Sequence, residues 1–253
     1  MQTSIIICTY NEEKTIKNVL VSCCRHNPDA EIIVVDDGST DNTETILSEL
    51  CSEYVFRHES LKENKGKSWA MVYGVERATN DVIIFFDADV SNIKKEHFEL
   101  LLQPIINKEA DMVLGSPSET LIDYRINPFK SLTGQRSLLK RDIVPILDDI
   151  QEIRFGVETF INLYYQAKGK RIKYVLLDGL KHPTKYEKTS PLKATIEFFN
   201  EGKEIALTLM KNYDLIVQRV ESLIERTNTS TLAKINSLQK EINRNFKKFE
   251  KWL

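Results

Sequence analysis

With 253 residues, 42% hydrophobic and 28% charged, the chain has enough apolar residues for one domain with a sizeable core and an appendage. Its 35 lysines and arginines against 37 acidic residues give a net charge of −2, which provides no broad attraction to nucleic acid. Four cysteines without metal-ligand spacing, and no apolar run near the roughly 18 residues of a membrane span, predict a reduced, cytoplasmic protein with neither a signal peptide nor a membrane span.

The first half of the sequence alternates short apolar runs with helical patterns. The predicted strands lie at residues 5–8, 31–35, 54–56, 82–86 and 112–116. Helical patterns lie at about 16–23, 43–51, 69–75 and 94–108. This alternation predicts an α/β fold with a doubly wound, mostly parallel sheet. It ends at residues 117–133, where we expect a connection over the ligand-binding edge of the sheet.

The fourth predicted strand ends in two carboxylates. Residues 82–86 lack polar alternation, as expected of a strand buried on both faces, and Asp87 and Asp89 follow at its carboxyl end. Residues two apart on an extended chain point the same way, so both carboxylates can reach one hard cation and the oxygens of a nucleotide diphosphate. The alternative is an ordinary solvated turn, where aspartate is common.

Other charged residues follow neighbouring strands. Asp37 comes after the second strand and before Gly38, which permits a tight turn. Lys67 follows Gly66 in a polar turn that leads into a helix. Because ligands bind outside the carboxyl ends of strands in open α/β sheets, we expect these side chains to meet at one edge.

The second half contains a predicted helix at 141–150, a helix from about 155 to 168, a strand at 172–177, and then His182. From 192 to about 226 the apolar spacing predicts a long amphipathic helix, and a second helix follows the polar break at 227–231. This predicted helical hairpin must bury its apolar stripe against the catalytic domain, a second subunit or a membrane surface. The last predicted helix has more lysines and arginines than acidic residues, which is compatible with binding to a bilayer surface.

Four motifs in order resemble the family 2 glycosyltransferases, which have the GT-A fold. They are Thr9-Tyr10-Asn11-Glu12, residues 34–41, residues 64–67 and Asp87-Ala88-Asp89. The later segments 134–136 and 155–158 and the region of His182 are similar to the branch of glucosyl-3-phosphoglycerate synthases. The resemblance implies a GT-A domain at residues 1–190, and it leaves residues 191–253 as a helical extension.

The resemblance implies a nucleotide-sugar donor. The residues Thr9, Tyr10, Glu12 and Asp37 would surround the nucleobase and ribose. Such contacts suit uridine or guanosine equally, and a UDP-sugar is the donor that we expect ahead of a GDP-sugar.

The resemblance also implies a metal. Asp89 would bind Mn²⁺ or Mg²⁺ that bridges the diphosphate, with Asp87 on the ribose or in the metal shell. His182 would be a third ligand, whereas a lone histidine is otherwise most often an ordinary surface or core residue. Lys67 would lie near the phosphates, where it and the metal stabilise charge on the leaving group.

Two further residues have open roles. Arg136 would pair with a carboxylate or phosphate, or form an ordinary structural ion pair. Glu158 would hold sugar or acceptor hydroxyls, and in an inverting reaction it could deprotonate the acceptor. Its alternative is a glutamate favoured by the helix dipole. The synthase branch implies retention of configuration, and the residues leave both outcomes open.

The sequence therefore predicts a metal-dependent glycosyltransferase that acts on a small polar or lipid-linked acceptor, in the cytoplasm or at the inner face of the membrane. A nucleotidyltransferase is one alternative, but the loop after the first strand, at residues 9–13, is acidic and lacks the usual glycines. The other alternative is a non-catalytic scaffold that binds a partner or membrane through its tail. A scaffold has no need of clustered like charges. Homodimer formation through the tail stays open.

Overall fold

The structure, a computed structural model, describes residues 1–119, 133–153, 156–182, 211–212 and 214–218. Within these residues the strands are β1 (Thr3–Thr9), β2 (Glu31–Asp36), β3 (Arg57–Ser60), β4 (Val82–Asp87), β5 (Met112–Glu119), β6 (Arg136–Leu139) and β7 (Ile172–Lys181). The α-helices between them are α1 (Ile16–His26), α2 (Thr43–Leu50), α3 (Lys67–Arg77), α4 (Lys95–Ile106), α5 (Lys140–Ile143), α6 (Leu147–Gln151) and α7 (Val157–Ala167).

The strands form one sheet in the order β3-β2-β1-β4-β6-β5-β7. Every neighbouring pair is parallel except those of β6, which runs antiparallel to β4 and β5. The predicted doubly wound, mostly parallel α/β sheet is therefore confirmed. The order reverses between β1 and β4, and this switch point opens a crevice at the carboxyl ends of the two strands.

Two apolar layers cover the sheet. Alternate residues of β1 point to opposite faces: Ile5 and Ile7 pack with α1, α2 and α4, whereas Ile6 packs with α3, α6 and α7. The helix α3 can lie close to β1 because Gly74 has no side chain, and a Cβ there would stand 2.5 Å from the Ile6 methyl group. Each fully buried aliphatic side chain contributes about 1.5–3 kcal/mol, so the core fixes the strand ends firmly.

Three predicted elements differ from the structure. The third strand is β3, not residues 54–56, because Tyr54 and Phe56 pack on the core from the turn after α2 while Val55 is 97% exposed. The predicted helix at 141–150 is divided into α5, a 3₁₀ turn (Val144–Ile146) and α6, since Pro145 cannot continue α-helical hydrogen bonding. The antiparallel strand β6 was not predicted, because Arg136 and Ser137 interrupt its apolar pattern.

The predicted connection at 117–133 begins as strand, because β5 continues to Glu119 beside β7. The rest of that connection up to residue 132 lies outside the described residues, as does most of the predicted helical hairpin. The described part of the first tail helix is helical at 211 and 214–218, and Leu215 is buried in the core cluster of α3 and α7. Among the described residues no helix has the length and apolarity to cross a membrane.

Candidate active site

The strand register brings the predicted site residues to one level. Cys8 of β1 pairs with Asp87 of β4, and Thr9 pairs with Asp36 of β2. Asp87 lies on the same face of β4 as Phe85, which is the face covered by α3 and α7. The carboxyl ends of these strands and the amino ends of α3 and α7 therefore surround one crevice.

Asp37 closes the turn after β2. The residue is 3% exposed, and its carboxylate accepts hydrogen bonds from the backbone amides of Lys65 and Gly66, each at 2.8 Å. Burial raises the pKa of Asp37, and the two amides and Lys65 oppose that shift only in part. Asp37 thus fixes the loop that leads to Lys67, a role that the sequence did not indicate, and its predicted contact with ribose or base stays a prediction.

The residues after β1 form the other wall of the crevice. The buried Thr9 hydroxyl makes no hydrogen bond within the described parts of the chain, and Tyr10 is 43% exposed. The Glu12 carboxylate accepts a hydrogen bond from the Thr15 hydroxyl at 3.0 Å, while its backbone amide donates to Thr43 Oγ1 at 2.9 Å. Thr9, Tyr10 and Glu12 thus lie at the end of β1 and in the loop that leads to α1.

Lys67 is the first residue of α3 and links two acidic groups. Its Nζ lies 2.8 Å from Asp87 Oδ1 and 2.9 Å from Glu158 Oε1. Burial acts to lower the pKa of Lys67, but Asp87 and Glu158 outweigh it and raise the pKa well above its usual range. The amine therefore stays protonated.

Asp87 is held on both oxygens. Lys67 contacts Oδ1, and the Gln135 side-chain amide donates to Oδ2 at 2.9 Å. A Cβ at Gly134 would overlap the same carboxylate, so the glycine makes room for it. Burial acts to raise the pKa of Asp87, but Lys67 and then His182 outweigh it and lower the pKa. Asp87 is therefore ionised at neutral pH.

The three predicted metal ligands meet at the end of β4. Ligand atoms of Asp87, Asp89 and His182 all lie within 4.8 Å of one another. His182 Nε2 is 3.3 Å from Asp89 Oδ1 and 3.9 Å from Asp87 Oδ2. Two carboxylates and one imidazole are ligands that suit Mn²⁺, and Mg²⁺ also takes carboxylate oxygens. The group could hold either ion.

Hydrogen bonds between two segments that are distant in sequence place His182 beside Asp89. Ser91 and Lys181 form an antiparallel bridge with backbone hydrogen bonds of 2.9 and 3.1 Å. The Asn92 side-chain amide donates to the Gly179 carbonyl at 2.6 Å, and His97 Nε2 lies 2.9 Å from the Asp178 carbonyl. The chain after Asp89 is thereby tied to the end of β7.

Arg136 lies beneath the site. It is fully buried, and its guanidinium donates to the Thr133 carbonyl at 2.6 Å and to Asn162 Oδ1 at 3.4 Å. Burial lowers the pKa of Arg136, while Glu158 and Asp87 act in the opposite direction. Both of these hydrogen bonds go to neutral groups, so the predicted pairing with a carboxylate or phosphate and its structural ion-pair alternative both stay predictions.

Glu158 is the second residue of α7, which begins after Gly156 with φ +81°. Burial acts to raise the pKa of Glu158, but Lys67 and Arg136 outweigh it, so the pKa is lowered. The carboxylate is therefore an ion-paired anion at a helix N-terminus, where the dipole also favours it.

Sequence reasoning missed Gln135 and Gly134 as site residues, although it selected the segment that contains them. A neutral amide and a glycine before a four-residue strand give no periodic or charge signal. Only the pairing of β6 with β4 brings them to Asp87.

The model of the family described as Glycosyl transferase family 2 matches residues 4–178. The chain is 34% identical over 153 residues to a UDP-N-acetylglucosamine--dolichyl-phosphate N-acetylglucosaminyltransferase from Methanococcus voltae, across 53% of this chain and 59% of that protein. It is 33% identical over 118 residues to a dolichol-phosphate mannosyltransferase from Pyrococcus furiosus, across 46% of this chain and 33% of that protein. The chain thus spans less than two thirds of either relative.

Among solved structures, the fold is similar to a glucosyl-3-phosphoglycerate synthase from Mycobacterium tuberculosis in complex with Mn²⁺, uridine diphosphate and phosphoglyceric acid. The TM-score is 0.65 at 20% identity, and the match covers 83% of this chain and 78% of that one. At this identity the similarity establishes the shared fold, which agrees with the GT-A architecture expected from the sequence.

Proposed function

Because the chain belongs to glycosyltransferase family 2, we propose that it transfers a sugar from a nucleoside diphosphate sugar in a metal-dependent reaction. A UDP-sugar is the donor that we expect ahead of a GDP-sugar. The observation that carries the proposal is the meeting of Asp87, Asp89 and His182 beside Lys67, at the switch-point crevice between β1 and β4.

The nucleoside would bind against the loop after β1. The exposed Tyr10 ring offers an aromatic surface for the base, and Thr9 precedes it as the last residue of β1. Glu12 and Asp37 would supply carboxylates for the ribose or base. The nucleoside would thereby be oriented with its diphosphate toward the end of β4.

The diphosphate would lie against Asp89, His182 and Lys67. Asp89, His182 and Asp87 would hold Mn²⁺ or Mg²⁺, which when bound neutralises charge on the departing nucleoside diphosphate. Lys67 adds a second positive charge from a fixed position at the start of α3. Both effects act where negative charge grows as the sugar leaves.

Glu158 would position Lys67 and would not deprotonate the acceptor. A carboxylate with a lowered pKa that already pairs with lysine is a weak base. A retaining reaction needs no base on the acceptor side, and the ion pair therefore favours retention over inversion.

The acceptor that we propose carries a phosphate group. The two curated relatives are named for dolichyl or dolichol phosphate, and the solved structure contains phosphoglyceric acid. A lipid phosphate would place the reaction at the inner face of the membrane, with the C-terminal helices predicted from the sequence as the contact or as a dimer interface. A small phosphorylated acid would place it in the cytoplasm.

The test is calorimetric titration of the purified full chain with UDP and GDP, with Mn²⁺ and with chelator, together with turnover of the matching sugars on both acceptor types. Asp89→Ala should reduce turnover by about 100-fold or more, since the metal supplies several kcal/mol of charge stabilisation. Asp178→Ala is the control, because the described contacts of this exposed residue use its backbone carbonyl. Full activity of Asp89→Ala would refute the assignment, and absence of nucleotide binding by the natural chain would favour the scaffold hypothesis.

A further inference from the structure

Gln135 links Asp87 at the end of β4 to the neighbouring strand β5. The residue precedes β6 and is fully buried. Its backbone carbonyl accepts a hydrogen bond from the Gly115 amide at 2.9 Å, and its side-chain Oε1 lies 2.8 Å from the Thr133 hydroxyl. Its Nε2 donates to Asp87 Oδ2 at 2.9 Å. Both ends of the side chain are therefore engaged, so its orientation is fixed.

The orientation of Gln135 decides how Asp87 meets the metal group. Oδ2, the oxygen that Gln135 contacts, is also the one that faces His182 Nε2 at 3.9 Å. A carboxylate oxygen has two lone pairs, and Gln135 occupies one of them. The other is left for the side on which Asp89 and His182 lie.

Neighbouring groups prevent the Asp87 carboxylate from turning away. Lys67 binds the other oxygen, Oδ1, at 2.8 Å, and the carboxylate packs against Gly134 in the space that a Cβ there would take. Gln135 is the neutral member of this set. An amide orients the carboxylate without the repulsion that a second buried cation would exert on a divalent ion.

We propose that Gln135 is a positioning residue for the metal site: its side-chain amide holds Asp87 Oδ2 toward His182 and Asp89. The inference rests on the proposed metal-dependent function. Gln135 is neutral and is not itself a ligand, but it would raise metal affinity by orienting Asp87, as groups that orient metal ligands commonly do.

The experiment compares Mn²⁺ affinity, measured by titration with electron paramagnetic resonance detection, in full-length variants. Gln135→Met keeps the side-chain length and removes the donor, and it should weaken Mn²⁺ binding about 10–100-fold. Thr133→Val removes the hydroxyl that contacts Oε1, the Gly115 carbonyl and the Gln135 backbone amide but keeps the Gln135 donor to Asp87, so it should give a smaller loss in the same direction. Affinity for UDP in the presence of chelator should stay unchanged in both.

Ser137→Ala is the matched control. Ser137 is buried on β6, two residues from Gln135, and its hydroxyl donates to the Leu101 carbonyl at 2.6 Å without contact to Asp87. It should lower the melting temperature about as much as Gln135→Met while it leaves Mn²⁺ affinity unchanged.

The outcomes separate this inference from the proposed function. Equal Mn²⁺ affinity in Gln135→Met and Ser137→Ala would overturn the role of Gln135 and leave the proposed function standing. Parallel loss of Mn²⁺ and metal-free UDP binding would show a merely structural role and overturn it as well. A natural chain that binds no Mn²⁺ would refute the metal-dependent function itself, and the role of Gln135 with it.

Discussion

The ends of β2 and β4 each present a carboxylate at the same edge, but they are built differently. Asp37 takes its partners from backbone amides of the first half of the chain, at Lys65 and Gly66. Asp87 takes its partners from side chains, and Gln135 and His182 come from the second half. The side of the crevice that we propose for the nucleoside therefore takes these contacts from the first half alone, whereas the side proposed for the metal requires both halves.

The electrostatics of the two carboxylates differ for the same reason. Burial dominates at Asp37 and raises its pKa, because backbone amides offset the burial only in part. At Asp87 the charges of Lys67 and His182, with the hydrogen bond from Lys67, together outweigh burial and lower the pKa. A metal ligand must be ionised, and the cation that ensures this for Asp87 is a side chain of α3.

Lys67→Met should produce the largest effect on the metal side. We expect turnover to fall about 100–1,000-fold, as when one group that stabilises transition-state charge is removed. Mn²⁺ affinity should change much less than turnover, because Lys67 both keeps Asp87 ionised and competes with the metal for its carboxylate. Turnover kinetics and Mn²⁺ titration check the two parts.

Lys65→Met is the control for that change. Lys65 is exposed, and its amine stands 4.5 Å from the Trp69 ring centre instead of in the charge cluster. Its turnover should remain within about twofold of the natural chain, since a solvent-exposed cation–π contact contributes only about 0.5–1 kcal/mol to folding. Equal losses in the two lysine variants would contradict the role given to Lys67.

Two glycines test whether the halves can be damaged separately. Gly134→Ala places a Cβ against the Asp87 carboxylate and should weaken Mn²⁺ binding about 10-fold or more, as displacement of a ligand's support does. Gly74→Ala places a Cβ against Ile6 in the core and should lower the free energy of unfolding by about 1–3 kcal/mol. Chemical unfolding and Mn²⁺ titration of both variants check this. Gly134→Ala should mainly weaken Mn²⁺ binding, and Gly74→Ala should mainly lower the free energy of unfolding.

The first half was largely predictable because its strands and helices follow strict hydrophobic periods. The residues that follow each strand, Asp37, Asp87 and Asp89, could be placed at one edge from strand order alone. Only β3 was misplaced, since two aromatic residues before it pack like strand residues without being paired.

The second half was less predictable because its site residues depend on long-range pairing. The short strand β6 carries Arg136 next to Gln135, and only its antiparallel register with β4 brings them below Asp87. The approach of His182 to Asp89 depends on the bridge between Ser91 and Lys181, which are far apart in sequence. No local pattern encodes either contact, so the resemblance supplied His182 and nothing supplied Gln135.

Asp37→Asn should disturb the nucleoside side alone. An asparagine can accept a hydrogen bond from only one of the amides of Lys65 and Gly66 through Oδ1, and its own amide then faces the other donor. One unsatisfied buried donor costs about 1–3 kcal/mol, so we expect a lower free energy of unfolding and weaker metal-free UDP binding. Mn²⁺ affinity without nucleotide should be unchanged; a parallel loss of Mn²⁺ binding would mean that the two sides are coupled.

Glu31→Gln should have the smallest effect on stability and none on the site. Glu31 is the first residue of β2, at the end of the strand opposite to Asp37. The Glu31 carboxylate accepts hydrogen bonds from Ser4 Oγ at 2.5 Å and from the Thr79 amide at 2.8 Å. Burial acts to raise the pKa of Glu31, but these hydrogen bonds and Arg57 outweigh it, so the pKa is lowered in the folded chain.

A lowered folded pKa means that the ionised form stabilises the fold at pH values above the ordinary glutamate pKa, and that this contribution is lost as pH falls through the folded pKa. Glu31→Gln should therefore lower the free energy of unfolding by about 1 kcal/mol at pH 7, since a carboxylate accepts these hydrogen bonds more strongly than an amide. The difference between the two proteins should shrink below about pH 4, where unfolded glutamate becomes protonated. Urea unfolding at pH 7 and at the lowest pH that keeps both chains folded measures this. If the difference in free energy of unfolding did not change with pH, the role of Glu31 would depend on its shape and not on its charge. Mn²⁺ affinity should be the same in both proteins, because Glu31 lies at the other end of β2 from the proposed metal site.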